Sequence, residues 1–186
     1  SPPKRCAWSK PRRDGEVESP MTSPFTPSIL ALAADVLDGC RRRGWRVATA
    51  ESCTGGLVAA ALTEIPGSSA VVDRGYVTYS NDAKAAALGV PEHLLASYGA
   101  VSSQVAAAMA QGALGIADAD LTVAVTGIAG PGGGSREKPV GLVYFATAVQ
   151  GGDIVSHVER FGELDRSVIR QKALSTALRL LLVRLA

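Results

Sequence analysis

The sequence predicts an α/β domain of three layers, α-β-α, around a mixed and mostly parallel sheet. Three observations carry that expectation. From residue 29 onward, helical and strand-like periodicities alternate. Residues 121–125 form a short apolar run of the kind buried on both faces of a sheet. The last two strand-like segments, residues 142–149 and 154–161, are joined at Gly151-Gly152 as a hairpin, so the sheet cannot be purely parallel.

Residues 1–28 show neither period. Pro2, Pro3, Pro11, Pro20, Pro24 and Pro27 punctuate them, and they read as a disordered or loosely held tail before a folded domain over 29–186. Met21 offers a second start, and the basic tail also admits a reading as a partner-binding arm. Ile29, Ala33, Val36, Leu37 and Cys40 then recur at helical spacing, and Arg41, Arg42, Arg43 and Gly44 make a basic, glycine-terminated end. That places Cys40 in the core.

A strand over residues 46–51 runs into Ser52-Cys53-Thr54-Gly55-Gly56, and a helix over 57–65 closes at Pro66-Gly67. A strand over 71–79 precedes a short helix over 81–88, Pro91 opens another, and Ser102 or Ser103 caps an alanine-rich helix to about residue 117. Those alanines suit close packing on a sheet, a helix or a second subunit. A glycine-rich loop at 127–134 separates the apolar strand from the hairpin. The final helix, 166–185, puts Leu174, Leu178, Leu181, Leu182 and Leu185 on one face.

Composition removes several function classes. The chain has 19 basic and 17 acidic residues, but residues 1–20 carry five and three of these, so residues 21–186 hold 14 of each. A neutral body is a poor binder of phosphate backbones, so no nucleic-acid partner is expected. No apolar run reaches the roughly 18–20 residues of a membrane span. Cys6, Cys40 and Cys53 are odd in number and form no CxxC pair, and His93 and His157 lack metal-ligand spacing. With no signal-peptide pattern, a reducing cytoplasm is the expected compartment, and no metal or cofactor is expected.

Chemistry concentrates at four places. Ser52 and Thr54-Gly55-Gly56 lie at a strand-to-helix turn, where helix amides favour an anion or a developing oxyanion. Ser52 stands where a nucleophile would stand, or it is an ordinary N-cap. Cys53 is a rival nucleophile that would gain thiolate character at a helix start, but no histidine is near it in sequence. In Tyr79-Ser80-Asn81-Asp82-Ala83-Lys84, an Asn81 cap puts Lys84 in the first helical turn, against the dipole. That field would depress its pKa and suit a neutral general base, or Lys84 is an exposed stem. Arg166, after Asp165, repeats the anomaly: it awaits a phosphate or carboxylate, or it pairs with Asp165 or Glu163. Thr126 and Gly127 open a loop through Gly130-Pro131-Gly132-Gly133-Gly134 that is neither a Walker A loop nor a GxGxxG fingerprint. It either approaches a ligand closely or is a flexible connection.

Several long runs, in one register over about residues 29–185, resemble the CinA C-terminal family. They are Ala50-Glu51-Ser52-Cys53-Thr54-Gly55-Gly56, Gly75-Tyr76-Val77-Thr78-Tyr79-Ser80-Asn81-Asp82-Ala83-Lys84, Gly99-Ala100-Val101-Ser102, Thr126-Gly127-Ile128-Ala129-Gly130-Pro131-Gly132-Gly133 and Lys138-Pro139-Val140-Gly141. The resemblance implies a metal-free amidase, usually a homo-oligomer, that hydrolyses nicotinamide mononucleotide to nicotinate mononucleotide and ammonia in pyridine nucleotide salvage. It implies Ser52 as nucleophile, Lys84 as base and Tyr79 as a nearby hydroxyl able to relay a proton. Thr126 would line the nicotinamide or phosphate end, and Arg166 would bind the phosphate. The family's Phe-x-Gly-Asp-Arg segment is one residue longer here, Phe161-Gly162-Glu163-Leu164-Asp165-Arg166. The molybdopterin-binding-like domain of longer CinA proteins is not in this sequence. The alternatives are a non-catalytic nucleotide-binding or regulatory module linked to competence or DNA damage, and an amidase for another small substrate.

Overall fold

The computed structural model describes residues 23–186; the tail expected over 1–28 lies, for residues 1–22, outside them. Helix α1 (Pro27–Arg43) starts at Thr26, whose hydroxyl accepts from the Ile29 amide, and ends at Gly44 with a φ of 66°. There follow β1 (Val47–Glu51), α2 (Leu57–Thr63), β2 (Val72–Val77), α3 (Asn81–Leu88), α4 (Glu92–Tyr98) and α5 (Ser103–Ile116). The chain ends with β3 (Leu121–Gly127), β4 (Leu142–Val149), β5 (Ile154–Arg160) and α6 (Arg166–Leu185). A single 3-10 turn, Ser68–Ala70, lies between α2 and β2.

The five strands run in the order β2-β1-β3-β4-β5. β1 pairs in parallel with β2 and β3, whereas β3–β4 and β4–β5 are antiparallel. The sheet is therefore mixed as expected but evenly divided, because β4 turns back directly beside β3 with no crossover helix between them.

Side chains alternate across the sheet. Val47, Leu121, Val123, Val125, Val143 and Phe145 meet α1, α2 and α6 on one face, where Leu37, Leu62, Ile169, Leu174, Leu178 and Leu181 complete the larger core. Each such buried side chain contributes roughly 1.5–3 kcal/mol. The other face is small: Ala50, Ala124, Ala146 and Ala148 lie under Ala106, Ala110 and Ala113 of α5. That answers the alanine richness of α5. Its backbone comes close enough for the Thr122 hydroxyl to donate to the Ala110 carbonyl at 2.9 Å. At Gly112 an added Cβ would stand 1.9 Å from the Leu88 carbonyl, so α3 docks on α5 only over a bare backbone.

This architecture brings the C-terminal ends of the parallel strands β1, β2 and β3 to one edge of the sheet, where α/β proteins place their ligands.

Candidate active site

Ser52 directly follows β1. Its amide donates to the Val125 carbonyl of β3 at 2.9 Å, and its carbonyl accepts from the Gly55 amide at 3.0 Å, closing a tight turn. The turn needs φ values of 61° at Gly55 and 95° at Gly56, conformations that glycine adopts at little cost. From α6, Arg170 donates to the Thr54 carbonyl at 2.9 Å and braces the turn from outside.

Lys84 meets Ser52 from α3. The helix is capped by the Ser80 side chain rather than by Asn81, so Lys84 lies one position further into the helix than the sequence suggested. Lys84 is only 1% exposed. Its Nζ lies 3.0 Å from Ser52 Oγ and donates to the Thr78 carbonyl at 2.9 Å. Loss of hydration on burial lowers its pKa below the ordinary 10.5, opposed by the neighbouring Cys53. The exposed-stem reading of Lys84 is thereby excluded.

A cavity of about 260 Å³ opens above this pair. Ser52, Cys53, Tyr79, Lys84, Thr126, Gly127 and Arg166 all line it, so the sequence-derived candidates from four separate segments converge. Thr126 is buried and its hydroxyl donates to the Ala100 carbonyl at 2.8 Å. Arg166 is the first residue of α6, and the side chain of Asp165, its N-cap, makes no capping bond. Its guanidinium donates instead to the Gly130 carbonyl and to the Tyr79 hydroxyl, each at 2.9 Å. Tyr79 is 60% exposed at the mouth. Its hydroxyl bonds Arg166, not Ser52 or Lys84.

Two expectations are corrected. Thr54, Gly55 and Gly56 are outside the cavity lining. The Gly55 amide is engaged by Ser52, and the Gly56 amide donates to Glu51 at 3.1 Å, so neither can face an oxyanion in this arrangement. Cys53 does not gain thiolate character: burial pushes its thiol up to about 12, and the Glu51 charge adds to the rise. Cys40 is buried as expected, with its thiol pushed up to about 11 by burial.

Sequence reading assigned no role to Glu51, whose carboxylate takes the amides of Gly56, Val58 and Ala59 beneath the turn. An acidic residue just ahead of a helix start was the available signal. Nothing in the pattern marked Arg170.

Larger concavities lie elsewhere, among them about 690 Å³ between α3 and α4, about 520 Å³ along the glycine-rich loop and about 410 Å³ among α1, α2 and α6, and none of these contains Ser52 or Lys84. Among the described residues, no group of three or more His, Cys, Asp or Glu could hold a metal ion, and no helix is long and apolar enough to cross a membrane.

The chain is similar to solved and curated proteins over most of its length. A structure from Agrobacterium tumefaciens, described as competence/damage inducible protein CihA, superimposes with a TM-score of 0.85 at 54% identity, covering 88% of this chain and 99% of that one. Two relatives named nicotinamide-nucleotide amidohydrolase PncC, from Enterobacter agglomerans and Escherichia coli K12, are 51% and 50% identical. The matches cover 80% and 82% of this chain and 92% of each relative. The model of the CinA C-terminal domain matches residues 29–185. With four motif segments meeting at one buried Ser–Lys pair, the chain belongs to the CinA C-terminal domain family.

Proposed function

We propose that this chain hydrolyses the carboxamide of nicotinamide mononucleotide to nicotinate mononucleotide and ammonia, with Ser52 as nucleophile and Lys84 as general base. The observation that carries the reading is the buried pair itself, with Lys84 Nζ 3.0 Å from Ser52 Oγ and a lysine pKa lowered by burial. A binding module has no use for a desolvated lysine held against a serine hydroxyl, whereas an acyl-transfer enzyme does. The identity to relatives named for this amidohydrolase supports the substrate.

In the neutral state the Nζ lone pair accepts the Ser52 proton as Oγ attacks the amide carbon. The resulting ammonium donates that proton to the departing nitrogen, and ammonia leaves an ester on Ser52. Water, deprotonated by Lys84, attacks the ester, and the proton returns to Oγ as the acid is released. The Thr78 carbonyl holds Nζ on line throughout. At the turn, the Cys53 amide, next to Ser52 in the cavity lining, donates to no backbone carbonyl among the described residues and would meet the developing oxyanion.

The cavity, about 260 Å³, is at the small end for ligand pockets, which run to roughly 300–1,000 Å³. It takes the nicotinamide ring, and the ribose phosphate extends to the mouth. There Arg166, held by the Gly130 carbonyl and the Tyr79 hydroxyl, meets the phosphate. We take the enzyme to act in the cytoplasm as a homo-oligomer within pyridine nucleotide salvage.

The test is ammonia release from nicotinamide mononucleotide by the full chain in EDTA, beside Lys84→Met. Release by the wild type alone is expected. Silence from wild type that still binds the nucleotide would return the chain to the binding-module reading, and turnover of other amides only would change the substrate.

A further inference from the structure

Among the described residues, Lys84 at 1% exposure and Glu51 at 0% are the only residues of the Asp, Glu, Lys and Arg class that are buried as whole residues. They stand on opposite sides of the turn that carries Ser52. Burying a lone carboxylate is costly unless its oxygens are fully supplied with donors. Glu51 has four. The Thr49 hydroxyl and the Ala59 amide donate to Oε1 at 3.1 and 2.9 Å, and the Gly56 and Val58 amides donate to Oε2 at 3.1 and 3.0 Å.

These contacts replace the usual cap of α2. Gly56, at the N-cap position, has no side chain to accept from the first turn, so the helix is tied instead to the last residue of β1. The peptide between the two fixed points is the turn bearing Ser52. It is also held by the Ser52 amide on the Val125 carbonyl and by Arg170 on the Thr54 carbonyl.

We propose that Glu51 is a positioning residue for Ser52: its ionised carboxylate locks the start of α2 to β1 and so holds Oγ in register with Lys84 Nζ, without touching the substrate. This deepens the amidase reading and rests on it. Ionisation matters because both oxygens accept from backbone N–H groups. A glutamine must turn its NH₂ toward at least one of those donors, which pushes the helix start away from the strand.

The experiment compares the full chain with Glu51→Gln in three readouts. kcat for nicotinamide mononucleotide is expected to fall roughly 100-fold, the scale of an ångström-sized misplacement, with KM changed little. The rate at which a fluorophosphonate probe labels Ser52 should fall in parallel. Amide exchange at Gly56, Val58 and Ala59 should be slow in wild type and fast in the variant. A folded Glu51→Gln protein with wild-type kcat and labelling rate would overturn the proposal, since a purely structural carboxylate would lower Tm alone. If Glu51→Gln does not fold, the wild type still decides: exchange at those three amides as fast as in an open loop would overturn it, and protection would support it. Labelling does not use the nucleotide. Wild type that labels at Ser52 but leaves nicotinamide mononucleotide intact would therefore remove the substrate assignment and leave the Glu51 comparison standing.

Discussion

Lys84 Nζ lies 3.0 Å from Ser52 Oγ inside a shell that all but excludes water from the lysine. The sheet brings the two together from positions 32 residues apart. Replacing Ser52 by Ala should lower turnover roughly 10⁴-fold or more while leaving nucleotide binding near wild type. Steady-state kinetics beside calorimetric titration would check both halves, and substantial residual turnover would remove Ser52 from the nucleophile role.

The lowered pKa of Lys84 gives a pH dependence with a definite sign. kcat/KM should rise with pH as Nζ deprotonates and level off before pH reaches the ordinary lysine value of 10.5. Stability follows the same direction. Between the folded pKa and 10.5 the unfolded chain binds the extra proton, so stability increases with pH across that window. Lys84→Met should therefore be inactive yet more stable than wild type near neutrality, with a flatter dependence of Tm on pH. A variant less stable than wild type at pH 7 would contradict this.

Arg166 and Tyr79 form one unit at the mouth, joined by a 2.9 Å hydrogen bond. Arg166→Met should lower kcat/KM for nicotinamide mononucleotide about 10- to 100-fold, the range of a lost hydrogen bond to a charged group. The same variant should leave nicotinamide riboside, which has no phosphate, almost unaffected. Equal losses on both substrates would argue against a phosphate contact. Tyr79→Phe should raise KM more than it lowers kcat, because the hydroxyl serves Arg166 rather than Lys84.

Cys53 lines the cavity, but burial holds its thiol at about 12. Iodoacetamide at pH 7.5 should leave activity intact, and Cys53→Ala should retain most of it. Rapid inactivation, blocked by nucleotide, would show a thiolate that burial should forbid.

Gly112→Ala adds a methyl group 1.9 Å from the Leu88 carbonyl at the end of α3. Overpacking of this kind costs about 1–3 kcal/mol. The shift also moves the helix that carries Lys84, so activity should fall at temperatures where the variant is still folded. Denaturant titration and kinetics on the same sample would separate the two effects.

The order of elements was legible because periodicity and glycine punctuation are side-chain properties. α3, β4 and α6 begin and end where the pattern put them. Ser80 displaced Asn81 as the cap of α3 because both are good N-caps and sequence alone does not rank adjacent ones. The even split of parallel and antiparallel pairs was not legible, since a hairpin does not announce which strand it joins. Of the residues that line the cavity, Ser52, Lys84, Thr126, Gly127 and Arg166 were singled out through residue type and position, and Tyr79 through the family resemblance. Their supports were not, because these are largely backbone atoms. The carbonyls of Thr78, Ala100 and Gly130 accept from Lys84, Thr126 and Arg166, and any residue there would offer the same oxygen. Glu51 escaped notice for a related reason: three of its four donors are amides at the start of the following helix, which only the folded turn brings to it.

β2 lies at the margin of the sheet and pairs with β1 alone, while Ser52 hangs from β1, which is paired on both sides. Lys84 follows the marginal strand and Ser52 follows an inner one. Partial opening that frays β2 and lifts α3 would part Lys84 from Ser52 while the α1–α6 side of the molecule stays folded. On warming, chemistry should switch off reversibly before cooperative melting begins, and the temperature optimum would then report on a border strand instead of on the core.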